Sequence, residues 1–536
     1  MLDFEFSVFN LILKLVVKLN VDISKFYFFG VLLMVIALPF SKFLMSVSQL
    51  VLVLIWLADG SFKDKFNSFF SNKLAVVFAS VFFMHLLGLI YTSDFEYGLE
   101  DIEKKIPLFL IPLIFSRIKP FYFENYFLIL LLFVSSVFVS SLMIFLIAIG
   151  VFGHETADTR EAFVFISHIR FSLMLCFSIF ISCYFYQKNI FPKFKYLFLI
   201  FVFWFLFFML RMELLTGIAV FSFVLMFLLL RTIFKLKEYK YKMVATLVFF
   251  SGVVFLVGYL FFEYFSFTKS NQTKKIQDLF ATSNGELYIH YNNNTELENG
   301  NFIWHNIAPY ELRASWGLRS KMPIDSLDLK GNQLFNTLIR YITSKGLRKD
   351  GNAIVSLSAQ EIKWIENGIV NNDFQENFNF RTRVKKVIWE IDQYKKGNDF
   401  NGHSVTMRLE FWKAAVGIVS KNLLMGVGTG DVKNAYIQEY DIMHSPLTLN
   451  WRLRSHNQYL AIAVAFGLIG LVVFLFSLFF PFSFQVNRDD YFFFTFFIIS
   501  ICSMLNEDTL ETQAGVTFFA FFTSFLLFLR PIKVTE

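Results

Sequence analysis

Long apolar runs broken by short polar stretches dominate the chain. A membrane-crossing helix needs about 20 mostly apolar residues. Such runs lie at 21–40, 43–58, 74–91, 105–116, 125–151, 162–187, 194–210, 213–231, 242–263, 456–482, 490–504 and 513–530 and predict about twelve spans. The second, fourth and eleventh are short, which fits tilted, broken or re-entrant helices. Residues 5–19 pattern as an amphipathic helix lying on the membrane. The apolar pattern lapses for long only once, over the 192 residues 264–455. Unstructured loops beyond about 15 residues are uncommon, so this segment is expected to fold. "GELYIHYNNNTELENGNFIWH" (285–305) alternates around an Asn-rich turn and predicts a hairpin. Residues 331–346, 358–370, 380–397 and 404–422 have helical spacing, the last with Ser404 as N-cap and an apolar stripe at Met407, Phe411, Ala414, Ala415 and Ile418. "GVGTGD" (426–431) then interrupts it.

Charge orients the spans. The stretches 61–73, 116–120, 187–195 and 231–242 are basic; 92–103, 153–161 and 506–512 are acidic or nearly so. Lys and Arg collect on the cytoplasmic side, so both termini are expected inside and 264–455 outside, in the periplasm if the cell is Gram-negative. The predicted organisation is an interfacial helix (1–20), nine spans (21–263), a periplasmic domain (264–455), then three spans and a cytoplasmic tail (456–536). That is an all-α polytopic membrane protein with a large domain inserted before the tenth span. Composition agrees: 56% of residues are hydrophobic and 17% charged, against about 25% charged in soluble domains. The 76 phenylalanines crowd the apolar runs and mark no site. Cys176, Cys183 and Cys502 all lie in such runs, which suggests neither a disulfide framework nor a metal cluster. Asp3, Glu5, Lys14 and Lys18 and the lack of a small-residue cleavage site argue against a cleavable signal peptide.

The chemistry-bearing residues gather around the return to the membrane. His456 and Asn457 stand at the lip of span ten. Imidazole, with an ordinary pKa of about 6.5, can accept a proton near neutrality. The competing reading is a helix N-terminus with polar caps. Arg408 lies in an amphipathic helix and would otherwise be one residue of a solvated face. Gly426, Gly428 and Gly430 either stop that helix or expose N–H groups to an anion; no Gly-Lys-Ser/Thr follows, so this is not a nucleotide-binding loop. Ionisable residues at a membrane surface default to functional candidates: Arg170 near the outer end of span six, Arg211 in the turn after span seven, and Lys105 before span four. Glu507, Asp508 and Glu511 in the last external turn could orient His456 or an acceptor sugar. The loop carries 24 Lys+Arg against 19 Asp+Glu. Its aromatic-basic stretches at 310–320 and 337–350 suit sugar or phosphate contact, or simply a basic face. Nucleic acid is not an expected partner.

In order, Arg408, Trp412, Gly426, Gly428, Gly430, His456, Asn457, Tyr459, Leu460, Gly467 and Gly470 resemble the O-antigen ligase/polymerase family of polytopic glycan-transfer proteins. The resemblance is densest over 404–470. It implies transfer of a glycan from a polyprenyl-diphosphate carrier to an acceptor hydroxyl at the outer face of the inner membrane. The acceptor is lipid A–core in the ligases and another carrier-linked repeat unit in the polymerases; membrane lipid surrounds both. Lys105 matches a family lysine. The family also has an arginine at the start of span eight, where this chain reads "LRMELLTG" and places Leu215, with Arg211 one helical turn earlier. His456 would then act as base and Arg408 as diphosphate ligand, with Arg170, Arg211, Lys105, Asn457, Glu507, Gly426 and Gly428 binding substrate. No Asp-x-Asp occurs, so neither a metal nor another cofactor is expected. A non-enzymatic transporter would predict paired inverted repeats with helices broken at the membrane midplane, and the sequence displays none. A protein-directed glycan ligase is the further alternative.

Overall fold

The computed structural model of the chain describes residues 22–152, 159–270, 279–291, 296–374, 380–397 and 401–531. The surface helix expected at 5–19, most of the acidic loop 153–161, the Asn-rich turn and the tail from 532 lie outside them.

Every one of the twelve apolar runs is helical: Ile23–Ala37, Lys42–Ala58, Lys73–Gly88, Pro107–Phe115, Phe123–Ala148, His168–Lys188, Lys195–Arg211, Leu215–Lys235, Tyr239–Ser270, Gln458–Phe479, Tyr491–Asn506 and Gln513–Phe528. This is a polytopic membrane fold. Among the described residues, seven helices are long and apolar enough to cross a membrane, or eight if Lys42–Ala58 and Phe62–Ser71 are one span bent by 113°. The fourth run is short because Lys105 ends one helix and Pro107 opens the next. Proline cannot donate to the preceding turn, so it serves best at a helix start. The basic stretch 61–73, expected as a loop, contains the amphipathic helix Phe62–Ser71, capped by Ser61.

Two compact units form, Met1–Lys235 with Met407–Glu536, and Leu236–Thr406. The segment from Met407 to Ser455 therefore packs with the apolar helices, and the second unit ends before the predicted boundary at 455.

In the first unit the phenylalanines interlock between helices. Phe133, Phe177, Phe496, Phe518 and Phe522 pair at 4.7–6.3 Å between ring centroids. Helices surrounded by lipid associate through such packing rather than through exclusion of water. One helix departs from the expectation of unbroken spans. Gln458–Phe479 is broken at Gly467, whose φ is 63° and ψ −160°. Irregular backbone at membrane depth survives only where protein satisfies it. Here the segment 423–428 does so: Val427 N donates to Val464 O at 3.0 Å, Gly428 N to Ala465 O at 2.8 Å, and Leu468 N to Leu423 O at 2.8 Å.

In the second unit, Tyr239–Ser270 leaves apolar side chains such as Leu247, Val248 and Phe255 exposed. Phe380–Lys395 runs against it, Arg381 pairing with the buried Glu263 at 2.8 Å. The remaining short helices surround a core containing Trp316, Leu338, Tyr341, Ile354 and Ile365. A short hairpin lies within 285–305, with its tight turn at Asn299–Gly300, at φ 49° and 78°, between the strands Leu297–Glu298 and Asn301–Phe302; a hairpin about the Asn-rich turn itself lies outside the described residues. Paired positive φ values at Asn-Gly suit a two-residue hairpin turn. Three of the four predicted helices appear in this unit as Leu334–Ser344, Ala359–Glu366 and Phe380–Lys395; the fourth also forms, as Ser404–Lys421, starting at Ser404 itself and lying in the first unit from Met407 on.

Candidate active site

The lip of the Gln458–Phe479 helix is built by three consecutive residues, Ser455, His456 and Asn457. Trp412 Nε1 donates to Ser455 O at 3.0 Å, and the fully buried Ser455 hydroxyl donates to Asn457 O at 3.0 Å. Asn457 is the helix cap: its Oδ1 accepts from Leu460 N at 3.1 Å, and its Nδ2 donates to Leu505 O at 2.9 Å. Capping satisfies one of the amide groups left over at a helix start. His456 is therefore not needed as a cap, and its φ of 47° turns the chain in the left-handed region. A non-glycine residue holds that conformation at a cost of about 1–3 kcal/mol, and such positions cluster at functional sites. The turn leaves the imidazole half-exposed, its ring 5.7 Å from that of Phe411.

Facing it is the turn 507–511, between the helices Tyr491–Asn506 and Gln513–Phe528. His456 Nδ1 lies 3.6 Å from Glu507 Oε2 and 3.7 Å from Asp508 Oδ1. Arg408 Nη2 pairs with Glu507 Oε1 at 3.0 Å. Arg170, buried on the first turn of its helix, places Nη1 3.6 Å from Glu507 Oε2 and Nη2 3.6 Å from Asp508 Oδ1. Arg454 Nη1 meets Glu511 Oε2 at 2.8 Å. Lys105, fully buried, lies 2.8 Å from Asp101 Oδ1 and 3.1 Å from Glu511 Oε2. Residues far apart in sequence thus form one network of four fixed cations, four carboxylates and a histidine. Burial alone would raise the Glu507 carboxyl; His456, Arg170 and Arg408 outweigh it and hold that group below its usual range. Burial likewise opposes ionised Glu511, but Lys105 and Arg454 hold its carboxyl well below the usual range. Asp508 goes the other way: burial dominates and pushes its carboxyl up, despite His456 and Arg454. Neighbouring carboxyl groups pushed apart in this way are a feature of sites that handle protons.

The structure brings together Lys105, Arg170, Arg408, His456 and Glu507 from the predicted set. It reassigns others. Gly426 and Gly428 do not offer N–H groups to an anion: Gly426 N donates to Asn422 O at 3.0 Å and Gly428 N to Ala465 O at 2.8 Å. Their positive φ and lack of a side chain let the turn enter the break at Gly467; a Cβ on Gly426 would stand 2.4 Å from the Ala465 carbonyl carbon. Asn457 is a cap and brace, with its side chain already engaged at both ends. Arg211 is exposed at the end of its helix and, among the described residues, makes no hydrogen bond or ion pair with the network. Leu215 opens the following helix. Sequence reasoning gave no role to Asp101 and Arg454. The signals present were the Asp101–Lys105 spacing of one helical turn and the place of Arg454 two residues before His456.

His456, Glu507 and Asp508 bring one ligand-type atom each within 4.8 Å of one another. Those oxygens already face the guanidinium groups of Arg170, Arg408 and Arg454. A divalent cation there would be repelled by the charges that now neutralise the carboxylates, so the donor set does not fit a resident metal.

No curated protein matches the chain. The family model described as O-antigen ligase matches residues 355–475, less than half of the chain, and that stretch contains Arg408, the Gly426–Gly430 turn, His456 and the break at Gly467. Over this stretch the chain is similar to the O-antigen ligase family.

Proposed function

We propose that this protein transfers a glycan from a polyprenyl diphosphate to an acceptor hydroxyl, with His456 as general base, inversion at the anomeric carbon and no metal. The observation that carries the reading is His456 held in a left-handed turn with Nδ1 against Glu507 and Asp508, beside Arg408 and Arg170. In the proposed step, acceptor oxygen attacks the anomeric carbon as the bond from that carbon to the phosphate oxygen breaks. The acceptor proton passes to His456 Nε2, and the electron pair of the broken bond leaves on the polyprenyl diphosphate. Positioned proton transfer of this kind contributes about 10²–10⁴-fold to a rate. The imidazolium formed would be stabilised through Nδ1–H by Glu507, with the 3.6 Å separation shortening in the complex, as catalytic hydrogen bonds do. Arginine suits the leaving group, since its planar fork stays charged and matches phosphate oxygens. Arg408 and Arg170 are the proposed ligands, with Lys105 holding the last turn through Glu511.

The proposed setting is a bacterial inner membrane, crossed about twelve times, with both termini cytoplasmic and the loop before the tenth span periplasmic. The proposed acceptor is lipid A–core; chain extension on a second carrier-linked unit is the alternative. Purified protein incubated with a labelled polyprenyl-diphosphate oligosaccharide, with and without lipid A–core, separates them. Label on lipid A–core supports the ligase. A ladder of longer carrier-linked chains without that acceptor means a polymerase, and no glycan transfer in either arm overturns the reading.

A further inference from the structure

The helix Phe62–Ser71 keeps an apolar face exposed among the described residues. The chain turns into it sharply after the helix Lys42–Ala58. Asp59, which accepts from Tyr27 Oη at 3.1 Å and Arg117 Nε at 3.0 Å, fixes the start of the turn. Gly60 follows at a φ of 65°, and Ser61 caps the new helix. The two helices meet at 113°, so the second runs across the first instead of extending it.

At about 3.6 residues per turn the short helix divides into three faces. Lys65 and Phe69 are buried in the protein. The Phe69 ring packs 5.9 Å from that of Phe109. Lys65 Nζ donates to Leu57 O at 2.9 Å and lies 4.8 and 4.6 Å from the ring centroids of Trp56 and Phe62. Asp64, Asn67 and Ser71 make an exposed polar face. On the third side Phe62, Phe66 and Phe70, one turn apart, are 55%, 40% and 67% exposed. Three aligned phenylalanines left uncovered mark an interaction surface.

Their neighbours say what covers them. Lys73–Tyr91 is long and apolar enough to cross a membrane. It exposes Phe83, Leu87 and Ile90 along one stripe, which in a membrane fold faces lipid. Ring contacts carry that stripe to the short helix: Phe83 to Phe109 at 5.3 Å, Phe109 to Phe69 at 5.9 Å, and Phe69 to Phe70 at 5.3 Å. The exposed phenylalanines therefore border the lipid-facing surface, while the polar face turns away from them. Lys63 and Lys73, both exposed, supply cations where lipid phosphates lie. Lysine stems can lie along apolar surface with the charged head held at the headgroups. An amphipathic helix so built rests in the membrane surface, its apolar face about 5–10 Å into the boundary between headgroups and acyl chains.

We propose that Phe62–Ser71 is a phospholipid-docking helix, with Phe62, Phe66 and Phe70 at the acyl-chain boundary, Lys63 and Lys73 at the phosphates, and Asp64, Asn67 and Ser71 in water. The proposal goes beyond the glycan-transfer reading and stands without it. To test it, full-length protein carrying Cys176→Ser, Cys183→Ser and Cys502→Ser would receive one nitroxide spin label, at Phe70→Cys or at Ser71→Cys. Both would be placed in vesicles of phosphatidylcholine and phosphatidylglycerol. Power-saturation EPR then compares collisions with oxygen, which concentrates among acyl chains, and with a water-soluble nickel chelate. The ratio of oxygen to chelate collisions should be at least threefold higher at position 70 than at position 71. Phe66→Cys against Asn67→Cys repeats the comparison if either first variant elutes as aggregate. Chelate collisions dominant at both positions would put the helix in water. Oxygen dominant at both would make it the second half of a broken span. Neither collider reaching position 70 would mean that protein covers the face. Each of these three results overturns the proposal.

Discussion

The turn at Gly426–Gly430 and the lip at His456 look alike as sequence, since each sets small or polar residues where an apolar run begins or ends. Their physics differs. At the glycine turn every amide discussed above is used within the protein, and what the glycines provide is room and positive φ. At the lip the backbone groups discussed above are also satisfied, Leu460 N and Leu505 O by Asn457 and Asn457 O by the Ser455 hydroxyl, but charged side chains remain gathered around a half-exposed imidazole. The first region makes a broken membrane helix tolerable. The second, built on the first, carries groups that can move a proton and hold an anion. A motif can thus contain its architecture and its chemistry in alternating residues, and only the hydrogen-bond accounting separates them.

The largest effect should come from the architectural side. Gly467→Val would set a Cβ 2.3 Å from the Leu424 carbonyl carbon at a φ of 63°, and left-handed strain alone costs about 1–3 kcal/mol. The expected outcome is loss of the monodisperse peak in size-exclusion chromatography, and Gly426→Val should behave the same way. On the chemical side, His456→Ala should keep that peak while transfer falls by about 10²–10⁴-fold. Arg408→Lys should fall by less, on the order of tenfold or more, because a lysine keeps the charge and loses the fork; the rate at saturating acceptor checks this. If Arg408→Lys matched the wild type, a point charge would suffice and the diphosphate role would fail.

Acid should act on the same network. Glu507 and Glu511 have carboxyl groups held below the ordinary glutamate value of 4.5 in the fold. Their contribution to stability is complete above that value and is lost as pH falls through the lower folded values. Asp508, pushed up by burial, has the opposite sign and favours the fold when protonated. The melting temperature of Glu507→Gln should therefore fall less than that of wild type as buffer is taken below about pH 4.5. A wild-type slope in the variant would show that Glu507 is not ionised against its arginines. The smallest effect belongs to Arg211→Ala, an exposed change outside the network, for which transfer should stay within about twofold.

Much of this was legible from residue pattern. The twelve apolar runs each became a helix because apolar length is set by the membrane, and period and composition report it directly. The acidic last turn and His456 were visible because ionisable groups are rare beside spans. The break at Gly467 was not, since a glycine within an apolar run satisfies the same composition whether the helix continues or stops; the partner segment at 423–428 decides. Asp101 and Arg454 were missed for a related reason. Each reads as an ordinary polar residue of an external loop, and only folding against Lys105 and Glu511 buries them. Arg211 was overweighted because nearness in sequence to Leu215 says nothing about reach across the fold.

The central claim is that His456 takes the acceptor proton. The most direct measurement is single-turnover transfer from one labelled polyprenyl-diphosphate oligosaccharide by wild type and His456→Ala, with donor binding measured on the same preparations. The account predicts a rate lower by at least about a hundredfold in the variant with donor affinity unchanged. A variant that binds donor and transfers at the wild-type rate would contradict it and move the base elsewhere in the network.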